Sequence, residues 1–338
     1  MALAWLLLAL QVPAARLHFA DRYDDAFAEA KARNVPVLVV DFDGWSTDRN
    51  NPQISDFYED RDFSVAAEGA VLVLASQEDH GERTEIVDGN ERRVCSTYGG
   101  ISCAAHRDVL PKAFADFGKD GQLVSPLFAL ATPDHKELRR LEHEQAPASL
   151  TLLLKQAAKQ VGPGLRRTEY VKLKRGLNDV RRFSDLGEYT SAVALCADLR
   201  KIPGQFAPQA ELAVAERRLE EAGREKLARG DELWSAGRIL DALLEMDDVR
   251  LSFGHLPPAI SATTQMKAWE KTAKAQPHIA ALRSDRAART IYEKGLSLER
   301  RGEPKLALEV FEKLLREYPE GRFSNRAVAL VAALRQKR

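Results

Sequence analysis

Apolar and polar positions follow two different periods along this chain. Up to residue 161, short continuous apolar runs alternate with amphipathic stretches. Val37–Val40, within V-L-V-V-D-F-D, and Ala70–Ala75 (A-V-L-V-L-A) are continuously apolar and rich in valine, as strands buried on both faces are. Pro126–Ala131 reads as a third such strand, and Glu137–Leu141 pairs with it across the Pro133-Asp134-His135-Lys136 turn. Asp21–Arg33 is helical, with Tyr23, Phe27 and Ala30 on one face. Arg49–Tyr58, Leu110–Phe117 and Leu150–Val161 are further helices, and Arg16–Ala20 is extended. The order β-α-β-α-β-α-β-β-α predicts an α/β domain over 16–161, a mixed sheet with helices on both faces. Its strand-to-helix connection 77–109 is long enough to count as an insertion, in which Asp88-Gly89-Asn90 suits a hairpin turn.

After a linker at 162–165, where Gly162-Pro163-Gly164 breaks the chain, residues 166–338 are helical in pattern and rich in Ala, Leu, Glu, Arg and Lys. Residues 288–321 place Gly295, Ala307, Phe311 and Pro319 where a helical hairpin needs two small residues, a bulky filler and a helix stop. This window resembles a tetratricopeptide repeat. Gly230 and Ala242 repeat the separation of Gly295 and Ala307, and Gly187-Glu-Tyr-x-x-Ala192 matches Gly302-Glu-Pro-x-x-Ala307. The copies stand 50 and 65 residues apart, so the expectation is three degenerate helix pairs in a short solenoid. Cys196 falls at the bulky packing position of the first copy and reads as core.

Composition sharpens this division. The 338 residues carry 50 basic and 50 acidic side chains, but the first 160 hold 17 against 25 and the remainder 33 against 25. A neutral chain gives no reason to expect nucleic-acid binding, and no apolar run is long enough to span a bilayer. Ala2–Val12 has the length of a signal-peptide apolar region, with small residues at Val12-Pro13-Ala14, although no Lys or Arg precedes it. Residues 1–15 are therefore expected to direct export to the periplasm or beyond; a buried first element of a cytoplasmic protein is the alternative.

The element order, together with A-F-A-E-A-K-A-R-N-V-P-V-L-V-V-D-F-D-G-W, resembles the thioredoxin-like fold, in particular exported bacterial thioredoxin-family proteins. The likeness covers nearly all of 16–161. It implies that Trp45 stands at the family's tryptophan before the W-C-x-x-C cysteines, and that Ser125-Pro126 stands at the Thr-cis-Pro position. Here the motif reads Trp45-Ser46-Thr47-Asp48-Arg49, with Ser46 and Arg49 at the two cysteine positions. Disulfide exchange needs an attacking thiolate and a second, resolving sulfur, and neither residue supplies one. The resemblance therefore implies the fold and argues against its usual oxidoreductase activity.

Two of the three cysteines lie in the insertion, as Cys95-x7-Cys103-x2-His106. A structural disulfide closing that small loop is the favoured reading, contributing about 2–3 kcal/mol. A displaced redox pair is the second, although neither cysteine falls at a predicted helix start beside the Trp45 loop. A metal site using Cys95, Cys103, His106 and His80 is the third; its spacing fits neither haem attachment nor a zinc knuckle, so no metal or cofactor is assigned. The expected function is a non-catalytic thioredoxin-like adaptor of the bacterial envelope, binding a protein or peptide through its helical repeats. The alternative is a thiol-disulfide oxidoreductase using Cys95 and Cys103.

Overall fold

The computed structural model describes residues 17–41, 57, 59–87, 90–118, 126–143, 145–204 and 206–336. The segment 1–15, Trp45, Ser46, Arg49 and Ser125 lie outside them.

The first part of the chain contains α1 (Tyr23–Arg33), β1 (Val37–Asp41), α2 (Arg61–Ala67), β2 (Val71–Ala75), β3 (Glu82–Val87), β4 (Asn90–Cys95), α3 (Cys103–Phe117), β5 (Leu127–Ala131), β6 (Glu137–Glu142) and α4 (Pro147–Val161). Four strands form one sheet in the order β2-β1-β5-β6. β1 runs parallel to β2, with Val37 opposite Val71, and antiparallel to β5, with Val37 opposite Ala131. β6 pairs antiparallel with β5 at the edge.

Every residue of β1, β2 and β5 is buried, which is why these strands read as unbroken apolar runs. Alternation along them supplies two cores. Leu38, Val40, Leu72, Leu74, Phe128 and Leu130 pack with Phe63 of α2 and Leu150 and Leu154 of α4. Val37, Val39, Val71, Val73 and Ala129 pack with Tyr23 and Phe27 of α1 and Val109, Ala113 and Phe117 of α3. The expected mixed sheet with helices on both faces is present. The insertion folds as a separate antiparallel ribbon, β3 with β4, in register from Glu82↔Cys95 to Val87↔Asn90.

One difference matters for chemistry. The sequence places a helix at Leu110–Phe117, whereas α3 begins at Cys103 and carries Pro111 inside it. Ser102 caps the helix, its side chain accepting from the Ala105 N–H at 3.1 Å. That cap starts the helix upstream of Pro111, a residue that sequence reasoning places near a helix start.

Gly162-Pro163-Gly164 is fastened to α1. Leu165 N–H donates to Arg33 O (2.8 Å), and Asn34 Nδ2 donates to Pro163 O (3.0 Å). A side chain at Gly164 would collide with the Asn34 carbonyl oxygen. The Arg33 side chain, fully buried, returns a hydrogen bond from Nε to Leu165 O (3.0 Å) and pairs with Glu29 at 2.7 Å. Arg33→Met should leave that carbonyl without its donor and cost about 1–3 kcal/mol, read as a lowered urea midpoint of the full chain.

The helical part comprises α5 (Arg167–Asp185), α6 (Tyr189–Leu199), α7 (Ala207–Ser235), α8 (Ile239–Ser252), α9 (Pro257–Trp269), α10 (Ile279–Arg300), α11 (Pro304–Glu317) and α12 (Arg322–Gln336). By compactness the chain divides within the first helical pair: 180–195 and 215–338 form one unit, and the preceding residues with 196–214 the other. Gly187, Gly237 and Gly302 hold the turns α5–α6, α7–α8 and α10–α11 at φ of 72°, 77° and 76°. Five residues after each glycine comes a fully buried alanine: Ala192, Ala242 and Ala307. Four further on come Cys196, Met246 and Phe311, also buried. The same spacing of turn glycine, buried alanine and buried larger residue recurs at all three turns, with Gly237 as the turn glycine of the middle one.

Close approach explains the helix glycines. A Cβ on Gly230 would meet Met246 at 2.8 Å, and one on Gly295 would meet the Phe311 ring at 2.5 Å. Pro319 follows the end of α11. An ionic cluster ties the later helices, with Arg322 bridging Asp248 (2.6 Å) and Asp285 (2.7 Å) while Arg286 pairs with the buried Asp247 (2.9 Å). Among the described residues, no helix is long and apolar enough to cross a membrane.

Candidate metal centre

The ribbon β3–β4 and the first turn of α3 bring four donor side chains together: His80, Cys95, Cys103 and His106. One donor atom from each lies within 4.8 Å of all the others. The local structure dictates this meeting. Pairing of Glu82 with Cys95 closes the base of the ribbon, so His80, two residues before β3, arrives beside the last residue of β4. Ser96 N–H donating to Gly81 O at 2.9 Å holds the two chain ends together there. Cys103 and His106, spaced i and i+3 at the start of α3, share one helix face.

The connection 96–102 turns sharply to deliver α3. Gly99 and Gly100 both have positive φ, 62° and 64°, where a side chain would be strained. Cys95 N–H donates to Ile101 O (2.6 Å), and Gly99 N–H donates to Cys95 O (2.9 Å). Cys95, Cys103 and His106 are buried, and the His80 side chain is only 3% exposed. Tyr98 stands edge-on to both imidazoles, at 4.9 and 5.7 Å between ring centres.

Each imidazole is oriented by its outward nitrogen. His106 Nδ1 lies 3.0 Å from the Ser76 carbonyl, which can only accept, so Nδ1 carries the proton and Nε2 presents a lone pair. His80 Nε2 lies 3.1 Å from the Glu78 carboxylate, which fixes the opposite tautomer. Its Nδ1 is then a lone pair, buried and without a hydrogen-bond partner. A buried polar atom in that condition is costly unless something binds it. Carboxylate–histidine and carbonyl–histidine pairs of this type hold metal-ligating imidazoles in register.

Cys95 and Cys103, the pair expected as a disulfide, are not joined in this structure. Cys103 Sγ lies 3.4 Å from Gly81 O. Burial, with the adjacent Cys95 thiol and Asp79 carboxylate, pushes its thiol up to about 11. Cys103 is the first residue of α3, and the Trp45 loop lies outside the described residues. The late helix start assumed at Leu110 hid that position of Cys103.

Two thiols and two oriented imidazoles form a soft S2N2 donor set, which suits a tetrahedral d10 ion such as Zn2+. Donors of such an ion stand about 3.3–3.8 Å apart, given bonds of ~2.3 Å to sulfur and ~2.0 Å to nitrogen. The observed cage therefore needs to contract by no more than about 1.5 Å along any edge. Sequence analysis assigned no metal because the Cys–Cys spacing matched no knuckle. His80 reaches Cys95 through the pairing of β3 with β4, whose register sets Glu82 opposite Cys95.

Of the other sequence-selected positions, Pro126 directly precedes β5, and its carbonyl accepts from His143 N–H at 3.1 Å. The packing residues Gly187, Ala192, Gly230, Ala242, Gly295, Ala307, Phe311 and Pro319 serve the helical part and take no part in the cage.

Glu78 is the outer support of His80. Glu78→Gln should lower zinc affinity roughly 10–100-fold while the fold persists, measured by competition with a chromogenic chelator. No protein-family model matches this chain, and no curated protein sequence matches it.

Proposed function

We propose that this chain is a non-catalytic adaptor whose α/β part is held by a structural Zn2+-class centre at His80, Cys95, Cys103 and His106. One observation carries the reading: four donors converge, and each imidazole is oriented through its other nitrogen. All four coordination positions come from the protein and are buried, which is the closed arrangement of a structural site; a catalytic site keeps one position for water or substrate.

The metal's role follows from its placement. A two-stranded ribbon is marginal by itself, and most described side chains of β3 and β4 are exposed. His80 and Cys95 sit at the base of the ribbon, and Cys103 and His106 begin α3. An ion bound to all four rivets the ribbon to the helix. When bound, it supplies charge and geometry with no redox chemistry of its own.

The sheet order β2-β1-β5-β6, with one parallel and two antiparallel pairings, supports the thioredoxin-like reading. The W-S-T-D-R segment lacks the sulfurs that such a fold uses for catalysis. The recurring glycine-alanine-bulky register supports tetratricopeptide-like helix pairs, whose usual role is to present a surface to a protein or peptide. The apolar 2–12 segment supports an envelope location. The burial of both thiols favours a structural role over the oxidoreductase alternative, because an attacking cysteine must reach a partner's disulfide.

Cobalt provides the test. Co2+ added to the reduced full chain should give the visible bands of a tetrahedral thiolate site, bleached by stoichiometric Zn2+. Octahedral-type spectra, or no bands at all, would reject the centre.

A further inference from the structure

The same two sulfurs have a second way to close the loop. We propose that the centre is a redox-gated metal site: with both cysteines reduced it holds Zn2+, and peroxide converts Cys95 and Cys103 to a disulfide and releases the ion. This deepens the metal reading and rests on it.

Three observations carry the proposal. Cys95 Sγ and Cys103 Sγ already lie within 4.8 Å of each other. They are joined by the short connection 96–102, which contains the paired glycines Gly99 and Gly100. That segment can tighten without moving a strand of the main sheet, because β3–β4 is a separate ribbon. Finally, only two of the four donors are sulfurs, so forming one S–S bond removes half the donor set. The two imidazoles left behind are held by Glu78 and Ser76, and two neutral nitrogens bind Zn2+ far more weakly than the four-donor cage.

The chemistry balances. Metal-bound thiolates attack peroxide: the O–O bond breaks, one sulfur becomes a sulfenic acid, and the second sulfur displaces hydroxide from it. Each sulfur has given up one electron, peroxide has taken two, and with two protons the products are the disulfide, Zn2+ and two waters. Two metal–sulfur bonds break and one S–S bond forms. The reverse step requires an external dithiol reductant. The oxidant must be small, because the cage is buried.

The two states fasten different parts. The ion would tie both strands at the base of the ribbon, through His80 and Cys95, to α3. The disulfide ties only the β4 end, through Cys95, and frees His80.

The test uses the reduced full chain loaded with Zn2+ and titrated with hydrogen peroxide, with a chromogenic chelator reporting released ion. No lysine or arginine lies between Cys95 and Cys103, so trypsin leaves both in the peptide 94–107. The expected result is one zinc released for each such peptide that loses two hydrogens, with thiols and zinc uptake both restored by dithiothreitol. A Cys196→Ala chain should behave identically. Disulfide formation with zinc retained, thiols driven to sulfinic acid without a disulfide, or coupling that disappears in Cys196→Ala would each overturn the switch while leaving the metal centre standing. Failure of the reduced chain to take up zinc at all would overturn both.

Discussion

Stripping Zn2+ from the reduced chain should lower the melting midpoint of the α/β part by roughly 10 °C. With free ion about a thousandfold above its dissociation constant, binding to the folded state alone contributes about 4 kcal/mol, and a domain of about 150 residues shifts by roughly 2–4 °C per kcal/mol. The loss should concentrate in the ribbon. Its register from Glu82↔Cys95 outward depends on a base that the ion closes, and most of its described side chains are exposed. Amide hydrogen exchange over 80–106 should rise sharply on chelation, while β1, β2 and β5, buried in both cores, keep their protection. Cys95→Ser or His106→Ala should reproduce the chelated melting curve and abolish its dependence on zinc. Uniform loss of protection across the central sheet would point instead to general unfolding.

The second large effect lies in the helical part. Phe311→Ala should destabilise it by about 3–5 kcal/mol, because the ring is fully buried against the α10 glycine and the later helices. Gly295→Val should cost about 1–3 kcal/mol for the opposite reason, since the new Cβ would stand 2.5–2.8 Å from ring carbons of Phe311. The pair should be non-additive: Gly295→Val combined with Phe311→Leu should lose less than the two single changes summed. Guanidinium unfolding of the four chains, followed by helical circular dichroism, reads this directly. Additive losses would mean that glycine and ring do not share one contact.

Particular residues show what the sequence made legible. Valine-rich runs at 37–40 and 71–74 revealed strands because burial on both faces removes every polar position from them. The helical turns were legible through Gly187 and Gly302, whose positive φ excludes most other residues. The start of α3 was not, because its signal is the single cap Ser102, while Pro111 downstream points to a later start. That one displacement concealed the i, i+3 relation of Cys103 and His106 as helix-face neighbours. His80 was obscured for a different reason. It is fifteen positions from Cys95 and meets it only through ribbon pairing, a non-local contact that spacing motifs do not encode. The outer partners were beyond sequence reasoning altogether, since Ser76 contributes a backbone carbonyl, which carries no residue signature.

Elemental analysis of the full chain, purified under reducing conditions and dialysed against trace zinc, decides whether the four donors hold a metal. The expected result is one zinc per chain in the wild type and none in a Cys95→Ser, Cys103→Ser double variant that still melts cooperatively. A folded, reduced wild-type chain without stoichiometric metal, or a double variant that retains it, would rule out a metal centre at these four residues.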